Sequence, residues 1–454
     1  MSIVGPTGPQ GPQGERGKNG RMGPEGPPGP AGSGGSGASL TVFNSPSAII
    51  NNTYTIPSGS TSSNIYLKDC TITSGIRTYQ PFIPGLSGSC NALVLSGTNL
   101  YVGGDFTSVG GISANNIAKY NTVTGVWSAL GPGLNTRCNA ILVSGSNVYA
   151  GGYFSATGDS NTPLRGVGKW DGTSWSALGS SGPVTPGESC LALAMIGTTL
   201  YAGGDFTSSA NRIAKWDGTT WSGLGTGLDD QCTTLAVYGS NLYAGGGFTT
   251  AGGTTANKIA KWDGSAWSAL GTGVVGGGLD ALCKSIGFIG TDLYACGYFG
   301  SADGNPAAKV AKWNGTTWSP LGTGITSGDG YVLTTLGTDL YVGGYFTSAG
   351  GVSVNNIAKW NGTSWSALGN GVNDSVQSLT AVGTELYIGG IFTTVGNSIP
   401  SNRITSYSFN YINLVFNSQI VSTLYNNSYG SQVNTYLSGA TTYATATNNI
   451  QFYQ

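Results

Sequence analysis

"IRTYQPFIPGL", running from Ile76 to Leu86, is the end of a repeat with no beginning in front of it. It aligns without a gap on "TTWSPLGTGI", Thr316 to Ile325. Tyr79 falls on Trp318, Pro81 on Pro320, Phe82 on Leu321, Gly85 on Gly324 and Leu86 on Ile325. The complete copies lie downstream. Seven times the chain repeats an apolar-Tyr-small-small-Gly-x-Phe core, its tyrosines at Tyr101, Tyr149, Tyr201, Tyr243, Tyr294, Tyr341 and Tyr387. A typical unit is "LYVGGYFTSAGGVSVNNIAKWNGTSWSALGNGV", Leu340 to Val372. With the apolar run before it, each unit holds four strand-sized segments. "VLTTLG" and "DLYVGGYF" flank a Gly-Thr turn, "NNIAKW" follows, and "TSWSALG" comes after an Asn-Gly or Asp-Gly turn of the kind that closes hairpins.

Four antiparallel strands every ~40–50 residues are the sequence signature of a propeller blade. The tryptophans fit it. Five of the 11 close the third strand (Trp170, Trp216, Trp262, Trp313, Trp360) and six open the fourth (Trp127, Trp175, Trp221, Trp267, Trp318, Trp365). Each buries ~150–250 Å² when packed, so they read as core rather than as a ligand platform. The seventh unit, "ELYIGGIFTTVGNSIPSNRITSYSFN", reaches a third strand ending at Tyr407 and then lacks its fourth. The orphan at Ile76 supplies the missing strand. A ring closed this way leaves no bare edge, so the clasp is expected near Arg77 to Ile83.

The expected fold is therefore all-β: a seven-bladed β-propeller over residues 76–408. Glycine also recurs at every third position from Gly5 to Gly32, "GPTGPQGPQGERGKNGRMGPEGPPGPAG". Only glycine fits the crowded axis of three wound polyproline-type chains, so this segment reads as a collagen-like triple-helical stalk and implies a homotrimer. "SGGSGAS", Ser33 to Ser39, reads as a flexible linker ending the 1–39 segment. The flanks 40–75 and 409–454 alternate apolar residues with Asn, Ser and Thr, as in "VFNSPSAIINNTYTI" and "LVFNSQIVSTLYNNSY". They read as a small β neck and a possible trimer contact.

Composition narrows the function. The 454 residues include 78 Gly but only 18 Lys+Arg and 19 Asp+Glu, a net charge of −1. No basic footprint for nucleic acid is visible, no apolar run approaches the ~18 residues of a membrane span, and "MSIVGPTG" reads as no secretory leader. Histidine is absent, which removes the usual general base and the commonest metal ligand. No phosphate loop, nucleophile elbow or paired-carboxylate signature stands out. No catalytic residue, metal site or cofactor is expected. Cys90, Cys138, Cys190, Cys232 and Cys283 open the first strands of their units, whereas Cys70 and Cys296 do not. They read either as a thiolate ring for a soft metal or as small apolar residues where inner strands crowd the axis. The missing C-x-x-C spacing favours the second, with mostly reduced thiols.

The position after the double glycine varies from unit to unit: Asp105, Tyr153, Asp205, Gly247, Tyr298, Tyr345, Ile391. Variation on a repeated scaffold builds binding faces, and drift at a solvated position is the alternative. Asp105, Tyr153, Asp205, Tyr298 and Tyr345 are the candidate binding residues.

The double glycine, the aromatic closing the third strand and the Trp opening the fourth resemble a kelch motif, best in "YNTVTGVWSAL" from Tyr120. With the collagen-like segment, the chain resembles the collagen-like surface and fibre proteins of giant DNA viruses related to mimivirus. Bacterial spore-surface filaments are the alternative setting. The viral resemblance implies a non-enzymatic structural or attachment fibre on a virion surface. Its expected partners are itself, a host-surface glycan or protein, and other virion proteins. Those viral collagens often place a modifiable Lys in the third triplet position, whereas Lys18 stands in the second. A polysaccharide hydrolase or lyase is the competing expectation, disfavoured by scattered carboxylates.

Overall fold

The computed structural model describes residues 71–73, 77–207, 210–276, 281–396, 398–409 and 413–415. The expected collagen-like stalk, the linker and most of both β flanks lie outside the described residues. The chain divides into two units, one being Arg77–Phe409 and the other the two flanks together. In the flanking unit Thr71–Thr73 pairs antiparallel with Asn413–Val415, Thr71 opposite Val415.

Among the described residues the larger unit holds seven sheets whose main path is four antiparallel strands in order from inner to outer. One of them has a fifth short strand, Val352–Ser353, and short hairpins such as Ser108–Val109 with Ile112–Ser113 lie between second and third strands. The seven sheets are numbered 1 to 7 by their inner strands, and the four main strands of each are called a to d. Sheet 2 is typical: Cys138–Ser144, Asn147–Gly152, Val167–Trp170 and Trp175–Ala177. The inner strands neighbour one another in cyclic order, and Ser89–Ser96 of sheet 1 lies beside both Cys138–Ser144 of sheet 2 and Val376–Val382 of sheet 7. The unit is a β-propeller.

Hydrophobic alternation makes the layers. In strand b of sheet 1, Leu100 and Val102 are fully buried between sheets. The phenylalanine following each strand b is buried as well, Phe154, Phe206 and Phe248 among them. Strand c begins one or two residues later than the pattern predicts, at Ile357 rather than at the preceding asparagines. Asn356 stands in the left-handed region at φ 63°. Its buried amide accepts from Phe346 N at 3.1 Å and donates to Val372 O at 2.8 Å. A short polar side chain that bonds local backbone tolerates that conformation and competes with the ladder. The Asp-Gly turn between strands c and d has four loop residues, Asp171 to Ser174, between the paired Trp170 and Trp175. Asp171 Oδ1 accepts from the backbone N–H groups of Thr173 and Ser174 at 2.8 Å each, closing an Asx turn.

Most adjacent sheets interlock through one small residue on each side. The first glycine of the pair in strand b faces the cysteine of the next sheet's strand a. A Cβ at Gly103, Gly151, Gly203 or Gly245 would stand 2.6–2.9 Å from the sulfur of Cys138, Cys190, Cys232 or Cys283 respectively. Between sheets 5 and 6 the pair is reversed: Cys296 occupies the glycine position and Gly330 the cysteine position, with a Cβ there meeting Cys296 Cβ at 3.3 Å. Cys296, anomalous in sequence, is thus the same contact with its partners exchanged. Between sheets 6 and 7 Val376 holds the cysteine position against Gly343, so the contact admits a side chain larger than cysteine.

Sheet 7 closes the ring. Val376–Val382, Glu385–Gly390 and Ile404–Phe409 take Arg77–Pro81 as strand d, with Tyr79 opposite Tyr407. In sheets 2 to 6 the tryptophan opening strand d donates its Nε1–H to the leucine carbonyl that follows strand d of the preceding sheet: Trp175 to Leu130 at 2.8 Å, Trp365 to Leu321 at 2.8 Å. Tyr79 Oη donates to Leu368 O at 2.7 Å in the same way. Gly85 lies so close to Asn402 O that no side chain fits, and Leu86 N donates to that oxygen at 3.0 Å. The aligned Gly324 and Ile325 treat Ala308 O alike, the Ile325 N bond being 2.9 Å. Arg403 Nη1 donates to Leu86 O at 3.0 Å, and Ser378 Oγ donates to Cys90 O at 3.2 Å.

Candidate functional site

Each position after the double glycine lies in strand b or just past its end, beside the entry to strand a. Asp105 pairs with Ser89, Tyr298 with Leu282 and Tyr345 with Asp329. All candidate binding residues therefore share one end of the sheets. Inner-strand bulges occur at the same end. The register slips between Cys90 and Ala92, between Cys283 and Ser285 and between Gly330 and Val332, leaving Asn91, Lys284 and Tyr331 as extra residues. A bulge re-aims a side chain that the ladder would otherwise fix. Some bulge residues tie neighbouring sheets together: Asn139 Nδ2 donates to Ser189 Oγ at 2.8 Å, and Thr233 Oγ1 donates to Cys283 O at 2.5 Å.

The five candidate residues have different fates. Asp105 is exposed, with its Oδ2 3.9 Å from Arg137 Nε. Tyr153 and Tyr345 stand 50% and 58% exposed, unusually open for large apolar rings. Asp205 is committed to its own sheet: its Oδ1 accepts from Ser189 N and its carbonyl from the Arg212 guanidinium. Tyr298 is half-buried with its ring perpendicular to Tyr331 at 5.8 Å. Burial, then Tyr331 and the Asp329 charge, push its phenol well above the usual range. Lys309 Nζ pairs with Asp329 Oδ1 at 3.0 Å. The structure therefore gathers Tyr298, Tyr331, Asp329, Lys309 and Tyr345 at the junction of sheets 5 and 6. Tyr331, Asp329 and Lys309 escaped sequence reading because their positions depend on the bulge and on a cation one residue before strand c.

Sheet 3 departs from the repeat. Phe206 and Ile213 are seven positions apart, against eleven between Phe248 and Ile259, while Leu178 to Cys190 spans twelve positions against eight from Leu130 to Cys138. The longer loop does the shorter one's work. Glu188 Oε1 accepts from Thr207 N at 2.7 Å, as Asp229 Oδ1 does from Thr249 N at 2.8 Å. Beside it a cavity of about 320 Å³ is lined by Asn211, Arg212, Thr226, Asp229 and Thr250 among others. Its polar groups are largely spoken for, Asn211 Nδ2 donating to Thr226 O at 2.9 Å.

The titratable groups complete the electrostatics. Burial opposes ionisation of Glu188, but hydrogen bonds from Thr185 and Thr207 outweigh it and bring the carboxyl down to about 2. Backbone N–H groups do the same for Asp171, Asp217 and Asp263, the last to about 2. Burial pushes the thiols of Cys90, Cys138 and Cys232 up to about 12, so they are protonated and packed rather than poised as thiolates. Among the described residues no three His, Cys, Asp or Glu side chains gather as a metal site, and no helix is long and apolar enough to cross a membrane.

Residues 77–238 match a family described as the Rax2 C-terminal beta propeller domain. No curated protein matches the chain. Among solved structures, the chain is similar to the computationally designed Ika8 protein at 15% identity and TM-score 0.42, over 72% of this chain and 99% of that one. It is also similar to the WD40 beta propeller domain of Doa1 at 10% identity and TM-score 0.47, over 74% of this chain and 98% of that one.

Proposed function

We propose that this chain is a non-enzymatic structural and attachment fibre protein of a virion surface. Its head is a seven-bladed, kelch-like propeller carried on a collagen-like stalk, three chains to a fibre. The observation that carries the reading is where the repeat varies: Asp105, Tyr153 and Tyr345 stand exposed at one end of a scaffold otherwise repeated. Such an end offers rings and hydrogen-bonding groups to a glycan or a protein partner. Hydrogen bonds hold the Glu188 and Asp263 carboxyls well below the usual carboxylate range, so neither is held protonated for proton donation near neutral pH.

Three heads on one stalk raise avidity by on the order of 10²-fold without any new contact. The test is to compare the full chain with a Leu40–Gln454 fragment, first by light scattering and then on a panel of glycans, host-surface proteins and particle proteins. The full chain is expected to be a trimer that binds; a full chain that binds nothing leaves a purely structural coat role. Release of shortened glycan would move the reading to a hydrolase or lyase. Proteomics of purified particles tests the location.

A further inference from the structure

Lys284 is the bulge residue of sheet 5, half-buried beside the inner strand of sheet 6. Ser285 Oγ, the next residue, accepts from Leu333 N of sheet 6 at 3.2 Å, so the two strands adjoin at this level. Lys309, Lys312 and Lys359 each hold a carboxylate oxygen at 3.0–3.1 Å. Among the described residues Lys284 has no such partner, and burial lowers its ammonium below the usual range. A desolvated cation without a counter-ion favours an anion that arrives from outside. The titratable group that acts on it is the buried thiol of Cys296, and aromatic and polar groups stand at the same sheet end. Tyr331, the next bulge residue, meets Tyr298 edge to face, and the Lys309–Asp329 pair and exposed Tyr345 share the same sheet end.

We propose that the junction of sheets 5 and 6 is a subsite for a carboxylated monosaccharide, a sialic or uronic acid unit at a chain end. This rests on the attachment reading and names its ligand class. Lys284 takes the carboxylate. Tyr331 and Tyr345 offer ring faces to the sugar's C–H surface, and Asp329 with Lys309 offers an acceptor and a donor to its hydroxyls. A neutral sugar leaves Lys284 uncompensated, so discrimination comes from charge.

The experiment uses the full chain with free N-acetylneuraminic acid, glucuronic acid, glucose and a tetraglutamate peptide, read by saturation-transfer NMR and titration calorimetry. An acidic sugar is expected to bind at least ten-fold more tightly than glucose. Lys284→Met is expected to abolish that preference at unchanged or higher melting temperature, since it removes an unpaired buried charge. Tyr331→Ala is expected to weaken acidic-sugar binding at least five-fold. Equal affinity for acidic and neutral sugars, stronger binding of tetraglutamate, or an unaltered preference in Lys284→Met overturns the subsite. A sharp loss of stability in Lys284→Met also overturns it, because the ammonium would then be serving the fold. Adhesion of the full chain to host surfaces without acidic-sugar binding sinks this subsite and leaves attachment standing. Acidic-sugar binding without adhesion does the reverse.

Discussion

Tyr79 shows how one hydroxyl can stand in for an indole. The Trp position of strand d must present a hydrogen-bond donor to the preceding sheet and fill a buried slot. Tyr79 does both with its phenol on Leu368 O. Tyr79→Phe keeps the ring and removes one of two donors to that carbonyl, Gly371 N remaining at 2.9 Å, so a loss of about 0.5–1.5 kcal/mol in denaturant unfolding is expected. An unchanged midpoint would mean that water replaces the hydroxyl. Gly389 meets Cys90 where the ring closes. Gly389→Ala forces atoms into that contact, at an expected cost of about 1–3 kcal/mol. Adding Cys90→Gly should return part of it, because Cys296 and Gly330 already work in the reversed order. A double-mutant cycle is expected to give a coupling of about 0.5–3 kcal/mol; strictly additive costs would refute the interlock.

Among the elements, Arg77–Pro81 carries the most consequence per residue. Without it Ile404–Phe409 becomes a bare strand edge, and the Leu368 carbonyl loses one of its two donors. A chain lacking residues 1–85 is expected to lose its single cooperative melting transition and to aggregate, as scanning calorimetry with light scattering would reveal. A soluble fragment of equal melting temperature would show that closure adds nothing. This strand was legible in sequence because Tyr79, Pro81, Gly85 and Leu86 each answer to a residue of a complete copy. The four-strand unit was legible through the spacing of its tyrosines and tryptophans. The bulges and the hairpins between strands b and c were not, since they are set by register against a neighbour. The binding residues were only half legible: the varying position stands out, but whether Asp205 faces solvent or caps Ser189 N depends on that neighbour too.

At the scale of the molecule, the charged groups set the pH range over which the ring holds together. Carboxyls held low, such as Glu188 and Asp263 at about 2, contribute stability fully above the ordinary carboxylate pKa of ~4. That contribution disappears as pH falls towards 2. The thiols act in the opposite direction. An unfolded thiol ionises near ~8.5, while Cys90, Cys138 and Cys232 keep their protons up to about 12. The unfolded chain then binds fewer protons than the folded one, so stability falls as pH rises from ~8.5 towards 12. Melting temperature measured from pH 2 to 11 is expected to be flat between about 5 and 8 and to fall on both sides. An alkaline fall no smaller in a Cys90→Ala/Cys138→Ala variant would place its origin elsewhere.

The clasp also imposes a schedule. Leu86 and its partner Arg403 are separated by 317 positions of chain. At a synthesis rate of roughly 5–20 residues per second, the first strand of the ring waits about 15–60 s for the last. Through that interval the starting strand lacks the strand it pairs with, Ile404–Phe409. Pro81 helps it wait, because a residue without an N–H is a poor template for a stray strand. The propeller is finished only when its oldest piece meets its newest.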